Sequence, residues 1–295
     1  MTYSIVARSV DGTQFGVAVA SKFLAAGALV PAARAARPNA PGGALATQAL
    51  ANLAYKQDGL AMLADGRSAR EVVDALVAAD ERAEHRQVGV VDGGGRAATY
   101  TGPKCLPWAG GATGYGYAIQ GNILVGSRVV ALMEEAWLAS DASGPLARRL
   151  LAALTAGDAV GGDSRGRQSA ALYVVSAGNG YGGGDVLVDL RVDDHPDPVH
   201  ELARLLDIHE LLFGKPDPDA LLELSGPLAD EVGQLLAGLG FVGPPDTALE
   251  AWAGRENLEE RLVAGMIDPV VLKHLRATAP NDAASPTPAQ QPSAA

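Results

Sequence analysis

The strongest constraint on the fold comes from the stretch Thr2–Arg8, which reads Thr-Tyr-Ser-Ile-Val-Ala-Arg. Its β-branched and aromatic residues predict a short strand. If Met1 is removed, Thr2 carries a hydroxyl and a free α-amine on one residue. The amine, with an ordinary pKa of about 8, can take the proton of the hydroxyl and so make it a nucleophile. The alternative is a strand that merely begins with Thr.

A second strand is predicted to pair back on the first. Asp11-Gly12 is a strong hairpin turn signal, and the apolar run from Phe15 ends at Ser21 and Lys22. A buried Lys22 would favour the ionised state of a neighbouring group, whereas the alternative is a surface lysine. Ser4 lies two residues after Thr2, so both side chains point to one face of the strand. Ser4 can therefore assist Thr2, replace it, or be hydrogen-bonded within the sheet.

Composition limits the possible functions of the 295-residue chain. A net charge of −11 disfavours nucleic acid as a partner and offers no basic patch for anionic lipid. The single cysteine, Cys105, rules out an intramolecular disulfide and suits a reducing compartment. No signal peptide is recognised before Thr2, and no apolar run reaches the ~20 residues of a membrane span. We therefore expect a cytoplasmic protein that does not enter a membrane.

The order of predicted elements indicates a mixed α and β fold. Strands come in groups, and helices follow in pairs, including one that begins with the capping box Ser68–Glu71. A series of single helices between strands would be expected of a parallel sheet. Paired helices instead favour antiparallel sheets covered by helices.

Polar residues near the predicted strand ends are candidate site residues. Gln48 lies at a strand-to-helix junction, where free backbone amides can form an oxyanion hole. Asn122 follows in a predicted turn and can bring its amide to the same place. Asp163 and Arg165 belong to the glycine-rich loop 161–168, which either binds a carboxylate or ureido group or is a solvated loop. Ser169, directly after this loop, is grouped with it as a substrate contact.

An acidic segment raises the question of a metal site. It contains Asp189, Asp193, Asp194, His195 and Asp197. One His among hard oxygen ligands is no zinc signature, and carboxylates just before a helix complement its dipole. We therefore predict no metal and no cofactor.

Several stretches together resemble the N-terminal-nucleophile (Ntn) hydrolases and, within them, an uncharacterised Ntn-hydrolase-like family, the domain of unknown function 1028. They are residues 2–8, 16–23, 46–50, 86–92, 120–122, 161–169 and 188–195. The resemblance implies an α+β fold, the αββα four-layer sandwich, over residues 1–213. It also favours Thr2 over Ser4 as the nucleophile.

The remainder of the chain is predicted to form a separate small module. Residues 214–218, with two prolines and a glycine, have the composition of a linker. Residues 219–278 have the apolar positions of a small helical domain and resemble the peptidoglycan-binding-like domain that is often joined to that family. The Ala-, Pro-, Ser- and Gln-rich tail, 279–295, is predicted to be disordered.

Two functional hypotheses follow. The first is an amidohydrolase that cleaves an amide or ureido C–N bond of a small molecule; the second is a catalytically silent Ntn-like scaffold that binds a metabolite or a protein partner. For the first, the catalytic candidates are Thr2, Ser4, Lys22, Gln48 and Asn122, and the substrate-binding candidates are Ser21, Asp163, Arg165 and Ser169. By analogy with Ntn-like sandwiches, we expect a homo-oligomer, a dimer.

Overall fold

The computed structural model describes residues 2–279, so Met1 and the part of the predicted tail from residue 280 onward lie outside the described residues. The chain divides into two compact units, one up to Leu206 and the other from Asp207 onward. The boundary falls within helix α6 (Pro198–Phe213).

The first sheet of the first unit has six strands. Its strands are β1 (Thr2–Arg8), β2 (Gln14–Ser21), β7 (Gly110–Gly114), β8 (Tyr117–Asn122), β9 (Ser169–Ser176) and β10 (Val186–Val192). They follow the order β10-β9-β2-β1-β8-β7, and all neighbouring pairs are antiparallel. β1 is therefore an interior strand, between β2 and β8.

The second sheet has four strands, which are β3 (Pro31–Arg34), β4 (Gly43–Ala49), β5 (Arg86–Asp92) and β6 (Ala97–Thr101). They pair antiparallel in sequence order. Both sheets thus have the antiparallel pairing that the paired helices predict.

The helices of this unit are α1 (Ala26–Leu29), α2 (Ala54–Ala64), α3 (Ala69–Ala78), α4 (Arg128–Ala139), α5 (Leu146–Ala159) and the first part of α6. The predicted capping box is present, because the Ser68 hydroxyl accepts from the Glu71 amide and the Glu71 carboxylate accepts from the Ser68 amide. Two further expectations concern the chain between β2 and α2. The alanine-rich run 28–36 predicts a short strand and a loop, and β3 is that strand, preceded by the one-turn helix α1; a helix expected from near residue 50 begins at Ala54 instead.

Strand alternation sorts the apolar side chains of β1 onto two faces. Tyr3, Ile5 and Ala7 pack in one buried cluster with residues of α4, α5 and α6. Val6 faces the other way and packs with residues of the second sheet, such as Ala46. A third cluster joins the far face of the second sheet to α2 and α3. No helix within the described residues is long and apolar enough to span a membrane.

The second unit is small and mostly helical. It contains α7 (Gly226–Gly238), α8 (Pro245–Glu256) and α9 (Pro269–Thr278), with a two-stranded ribbon of β11 (Leu222–Glu223) and β12 (Met266–Ile267). Trp252 is fully buried at the centre of its apolar cluster. The buried Arg261–Asp268 ion pair stabilises this unit, and Arg261 also donates to the Leu211 carbonyl oxygen at 2.7 Å.

Candidate active site

A polar cluster occupies one end of the face that the first sheet turns toward the second. Strand alternation explains its position: Thr2 and Ser4 lie on the same face of β1 as Val6, which belongs to the apolar cluster between the sheets. The polar cluster consists of Thr2, Ser4, Ser21, Gln48, Gln87, Gln120 and Asn122, none of them more than 6% exposed. Buried polar groups require hydrogen-bond partners, and these residues supply most of them to one another, whereas the buried Gln120 Oε1 has no partner among the described residues.

Gln48 is the hub of the polar cluster. Its Nε2 lies 3.2 Å from the Thr2 carbonyl oxygen, 2.8 Å from Gln87 Oε1 and 3.3 Å from the Gln120 carbonyl oxygen. Its Oε1 accepts from Ser4 Oγ at 2.7 Å. The two amide hydrogens are shared among three acceptors, so the side chain of Gln48 holds the sheets together at the start of β1 and has no hydrogen to spare for a substrate.

Ser4 is enclosed in the same network. Its hydroxyl donates to Gln48 Oε1 and accepts from Gln120 Nε2 at 2.6 Å. Ser4 is fully buried. This arrangement corresponds to a serine hydrogen-bonded within the sheet, one of the roles considered for it from the sequence.

Gln87 and Gln120 are part of the site although neither is among the candidates chosen from the sequence. Gln87 Oε1 accepts from both Gln48 Nε2 and Asn122 Nδ2, the latter at 2.9 Å, and Gln87 Nε2 donates to the Gly121 carbonyl oxygen at 2.7 Å. Strand alternation places Gln87 on the same face of β5 as Val91, which packs between the sheets, but alternation alone does not tell which face of the strand meets the other sheet.

Thr2 lies where the polar cluster meets an open cavity. Thr2 Oγ1 and Ser21 Oγ are 3.1 Å apart, and Thr2 lies directly opposite Asn122 in the pairing of β1 with β8. Thr2, Ser21 and Gln48 line a cavity of about 290 Å³, here called the first cavity. A buried hydroxyl on an interior strand thus has access to a space of ligand size.

A second cavity, of about 240 Å³, adjoins the same strand end. Its lining includes Asn122, His85, Lys104 and Cys105. Burial raises the pKa of the Cys105 thiol, whose sulfur lies 3.3 Å from the Arg86 carbonyl oxygen. This thiol is therefore kept protonated and is a poor nucleophile.

Two residues with left-handed backbone directly follow amide residues of the polar cluster. Ala49 follows Gln48 with φ 68°, and Ile123 follows Asn122 with φ 51°. A β-branched residue in this region is unusual, and such conformations cost on the order of 1–2 kcal/mol each. Ala49 lines both cavities. β4 ends at Ala49, directly after Gln48, and β8 ends at Asn122, directly before Ile123. Both amide side chains therefore stay in the sheets, and the chain turns away beyond them.

A buried ion pair anchors the loop that follows Ala49. Asp80 accepts from Arg86 Nε at 2.8 Å and from Asn52 Nδ2 at 2.9 Å, and Arg86 also donates to the Leu50 carbonyl oxygen. The Arg86 guanidinium lowers the pKa of the Asp80 carboxyl well below its usual range. Because Leu50 lines both cavities, this pair positions the wall that they share.

The structure does not support a buried Lys22. β2 ends at Ser21, and the chain leaves the sheet there, so the Lys22 side chain is exposed. The Lys22 backbone N–H donates to Asp163 Oδ2 at 2.7 Å. Asp163 Oδ1 accepts from the Arg165 backbone N–H at 2.9 Å, and the Arg165 side chain is exposed. Asp163 therefore fixes two loops, and neither it nor Arg165 is among the described residues that line the first cavity.

Ser169 has a similar positioning role. Its hydroxyl donates to the Phe23 carbonyl oxygen at 2.6 Å and accepts from the Ala26 N–H at 3.1 Å. Phe23 and Ala26 line the first cavity. Ser169 thus holds two lining residues in place and is not itself part of the lining, whereas the sequence suggested a direct substrate contact.

The acidic segment around His195 forms a local turn. His195 Nδ1 accepts from the Asp197 N–H at 3.0 Å, which is a local turn contact. Across residues 2–279, no group of three or more His, Cys, Asp or Glu side chains is arranged to hold a metal ion.

Comparison with protein families matches both parts of the chain. A model described as "Family of unknown function (DUF1028)" matches residues 2–202. A model described as "Putative peptidoglycan binding domain" matches residues 212–275. No match was found among curated proteins.

Solved structures give three further similarities. Protein SPO2555 from Silicibacter pomeroyi, assigned to DUF1028, is 30% identical with a TM-score of 0.60, and the match covers 78% of this chain and 92% of that one. The Gly-1 mutant of Anbu from Hyphomicrobium sp. strain MC1 is 10% identical with a TM-score of 0.38, over 70% and 94% of the two chains. Anbu from Yersinia bercovieri, described as an ancestral beta-subunit, is 9% identical with a TM-score of 0.34, over 70% and 93%.

Proposed function

The chain belongs to the DUF1028 family of unknown function, and we propose that its first unit is an Ntn amidohydrolase that cleaves an amide or ureido C–N bond of a small molecule. The observation that carries this proposal is the position of Thr2. Its hydroxyl lies 3.1 Å from Ser21 Oγ, at the point where a buried polar cluster opens into a cavity of about 290 Å³.

The packing of the first unit supports an αββα four-layer sandwich. One apolar cluster joins residues of both sheets, and two others join the outer faces of the sheets to helices. β1 lies in the interior of its sheet, and Thr2, the residue at its start, lies beside the space between the sheets in such a sandwich. This placement suits an N-terminal nucleophile.

The reaction requires the Thr2 α-amine to be free. The amine then takes the hydroxyl proton as Thr2 Oγ1 bonds to the substrate carbonyl carbon. Collapse of the intermediate breaks the C–N bond, and the amine returns the proton to the leaving nitrogen. Water, deprotonated by the same amine, attacks the ester carbonyl carbon; the bond to Thr2 Oγ1 breaks, the amine returns the proton to Oγ1, and the acid is released.

Asn122 is the side chain best placed to stabilise the oxyanion. It lies opposite Thr2 across the strand pair, and its Nδ2 gives one hydrogen to Gln87 Oε1. An amide nitrogen carries two hydrogens, so the second can donate to a developing oxyanion. Gln48, whose hydrogens are shared among protein acceptors, orients Thr2 through its carbonyl oxygen.

The test combines intact mass with hydrolysis assays. Small amides, ureido acids and acylated amino acids are screened for released ammonia or amine, using protein whose mass establishes a free Thr2 amine. We expect Thr2→Ala to reduce kcat at least ~100-fold and Thr2→Ser to retain part of the activity, because only serine keeps the hydroxyl. The exposed Thr13→Ala serves as the matched control. Equal activity of Thr2→Ala and wild type would overturn the nucleophile assignment, and absence of any turnover would favour the silent scaffold.

A further inference from the structure

Two cavities of different chemistry open beside one strand end. Both include Ala49 and Leu50 in their linings. Thr2 lines the first cavity, and its partner across the strand pair, Asn122, lines the second. A molecule whose carbonyl lies at Thr2 can therefore extend one end into each cavity.

The first cavity suits an apolar group. Among the described residues, no charged side chain lines it. Phe23, Leu50 and Leu53 belong to its lining and are 54%, 46% and 50% exposed. Large apolar side chains left exposed around a concavity are typical of a ligand site.

The second cavity suits an anion. Lys104 and His85 line it, and the described lining residues include no carboxylate, although the chain as a whole has a net charge of −11. Lys104 forms an ion pair with Glu84, and His85 Nε2 lies 3.5 Å from the same carboxylate, which is not among those lining residues. An ammonium group has three hydrogens, so Lys104 can keep its pair with Glu84 and still donate to a ligand carboxylate.

We propose that the substrate is an N-acyl amino acid, with its apolar acyl chain in the first cavity and its carboxylate in the second. This inference rests on the proposed function. Attack by Thr2 Oγ1 forms the ester bond on the side of the first cavity, so the acyl chain stays there. The C–N bond breaks toward Asn122, and the amino acid leaves through the second cavity with the proton that Thr2 gave up.

Binding to the full-length Thr2→Ala protein tests the ligand class without turnover. Calorimetry compares N-hexanoylglycine with N-acetylglycine and with the uncharged N-hexanoylglycinamide. Each buried methylene contributes about fourfold in affinity, so we expect the acetyl compound to bind at least tenfold more weakly. The glycinamide lacks the charge contact, which is partly exposed, so we expect it to bind about three- to fivefold more weakly than the acid.

Variants of Lys104 assign the charge contact. In Lys104→Gln the difference in affinity between the acid and the amide is expected to vanish, and in Lys104→Arg it is expected to persist. Lys215→Gln is the matched control, because Lys215 forms the same kind of exposed pair with Glu260 in the other unit. If the Lys104→Gln variant still binds the acid more tightly than the amide, the ligand carboxylate does not lie in the second cavity.

The outcomes separate this inference from the proposed function. Equal affinity for hexanoyl and acetyl compounds would overturn it even if wild type hydrolyses both. If the ligands bind with the predicted affinities but wild type shows no hydrolysis that depends on Thr2, the ligand class is supported and the proposed hydrolase reaction is wrong. If Leu53→Asn dissociates an oligomer and leaves affinity unchanged, the apolar rim is an interface with a second copy and the inference is wrong.

Discussion

At the scale of single residues, Gly89 decides whether the polar cluster can form. A Cβ built at Gly89 would lie 1.9 Å from Gln120 Oε1, the oxygen of an amide whose nitrogen donates to Ser4. The two sheets approach each other here so closely that one of the facing residues must lack a side chain. Gly89 lies on the face of β5 that carries Gln87, within the inter-sheet space.

We predict that Gly89→Ala destabilises the first unit. The added methyl must displace a fully buried amide, which costs about 2 kcal/mol in the free energy of unfolding. Urea denaturation measures this cost. Gly126→Ala is the control, since a Cβ there meets nothing within 4 Å. Equal stability of the two variants would show that the Gln120 amide has room to move.

The sequence identified some of these residues and missed others for a physical reason. Thr2 and Ser4 were paired by strand alternation, and the structure places both in the polar cluster. Gln87 and Gln120 were missed because the face of a strand toward a second sheet cannot be identified until the partner sheet is known. For Lys22 the sequence left a buried and a surface position open, because burial at a strand end depends on where the chain turns, and the structure has the exposed one.

At the scale of elements, the loop between β4 and α2 is the wall shared by the two cavities. Its position depends on Asp80 and Arg86, whose side chains are only 9% and 10% exposed. Removing one member of a buried pair leaves the other charge without its partner and costs more than the pair contributes.

We predict that Asp80→Asn destabilises the fold by about 3 kcal/mol at neutral pH. The native pKa of Asp80 is lowered, chiefly by Arg86, so its contribution is present above the ordinary carboxyl pKa of about 3.9 and is lost as pH falls toward the native pKa. Unfolding free energies of both proteins should therefore converge in acid. Asp74→Asn, which breaks the exposed pair with Arg70, is expected to change stability by less than about 0.5 kcal/mol. A constant difference between wild type and Asp80→Asn across the acid range would contradict the pairing.

Other elements show the limits of sequence patterns. Helix α3 was predictable because its capping box and its apolar spacing agree. β7 was not predicted, since its Gly-Gly-Ala-Thr-Gly sequence has little strand propensity and is ordered by pairing with β8.

At the scale of the whole molecule, the division into two units was indicated by composition and by family resemblance. The antiparallel pairing followed from the paired helices. The stacking of the two sheets was implied by the resemblance alone, because strand periodicity does not specify which sheet covers which.

We propose that the protein is a homodimer, by analogy with Ntn-like sandwiches, the fold proposed for its first unit. Light scattering at micromolar concentration should then give about twice the 30.1 kDa mass of the chain. A mass equal to one chain over that concentration range would refute the dimer.

The central claim is that Thr2 carries the acyl group, and trapping that intermediate tests it most directly. The protein with a free Thr2 amine is incubated with an activated ester of hexanoic acid, quenched in acid and mapped by peptide mass spectrometry. We predict one hexanoyl group on the hydroxyl of Thr2, absent from Thr2→Ala and retained in Ser4→Ala. Acylation of Ser4, Ser21 or Cys105 in place of Thr2, or acylation that persists unchanged in Thr2→Ala, would contradict the account.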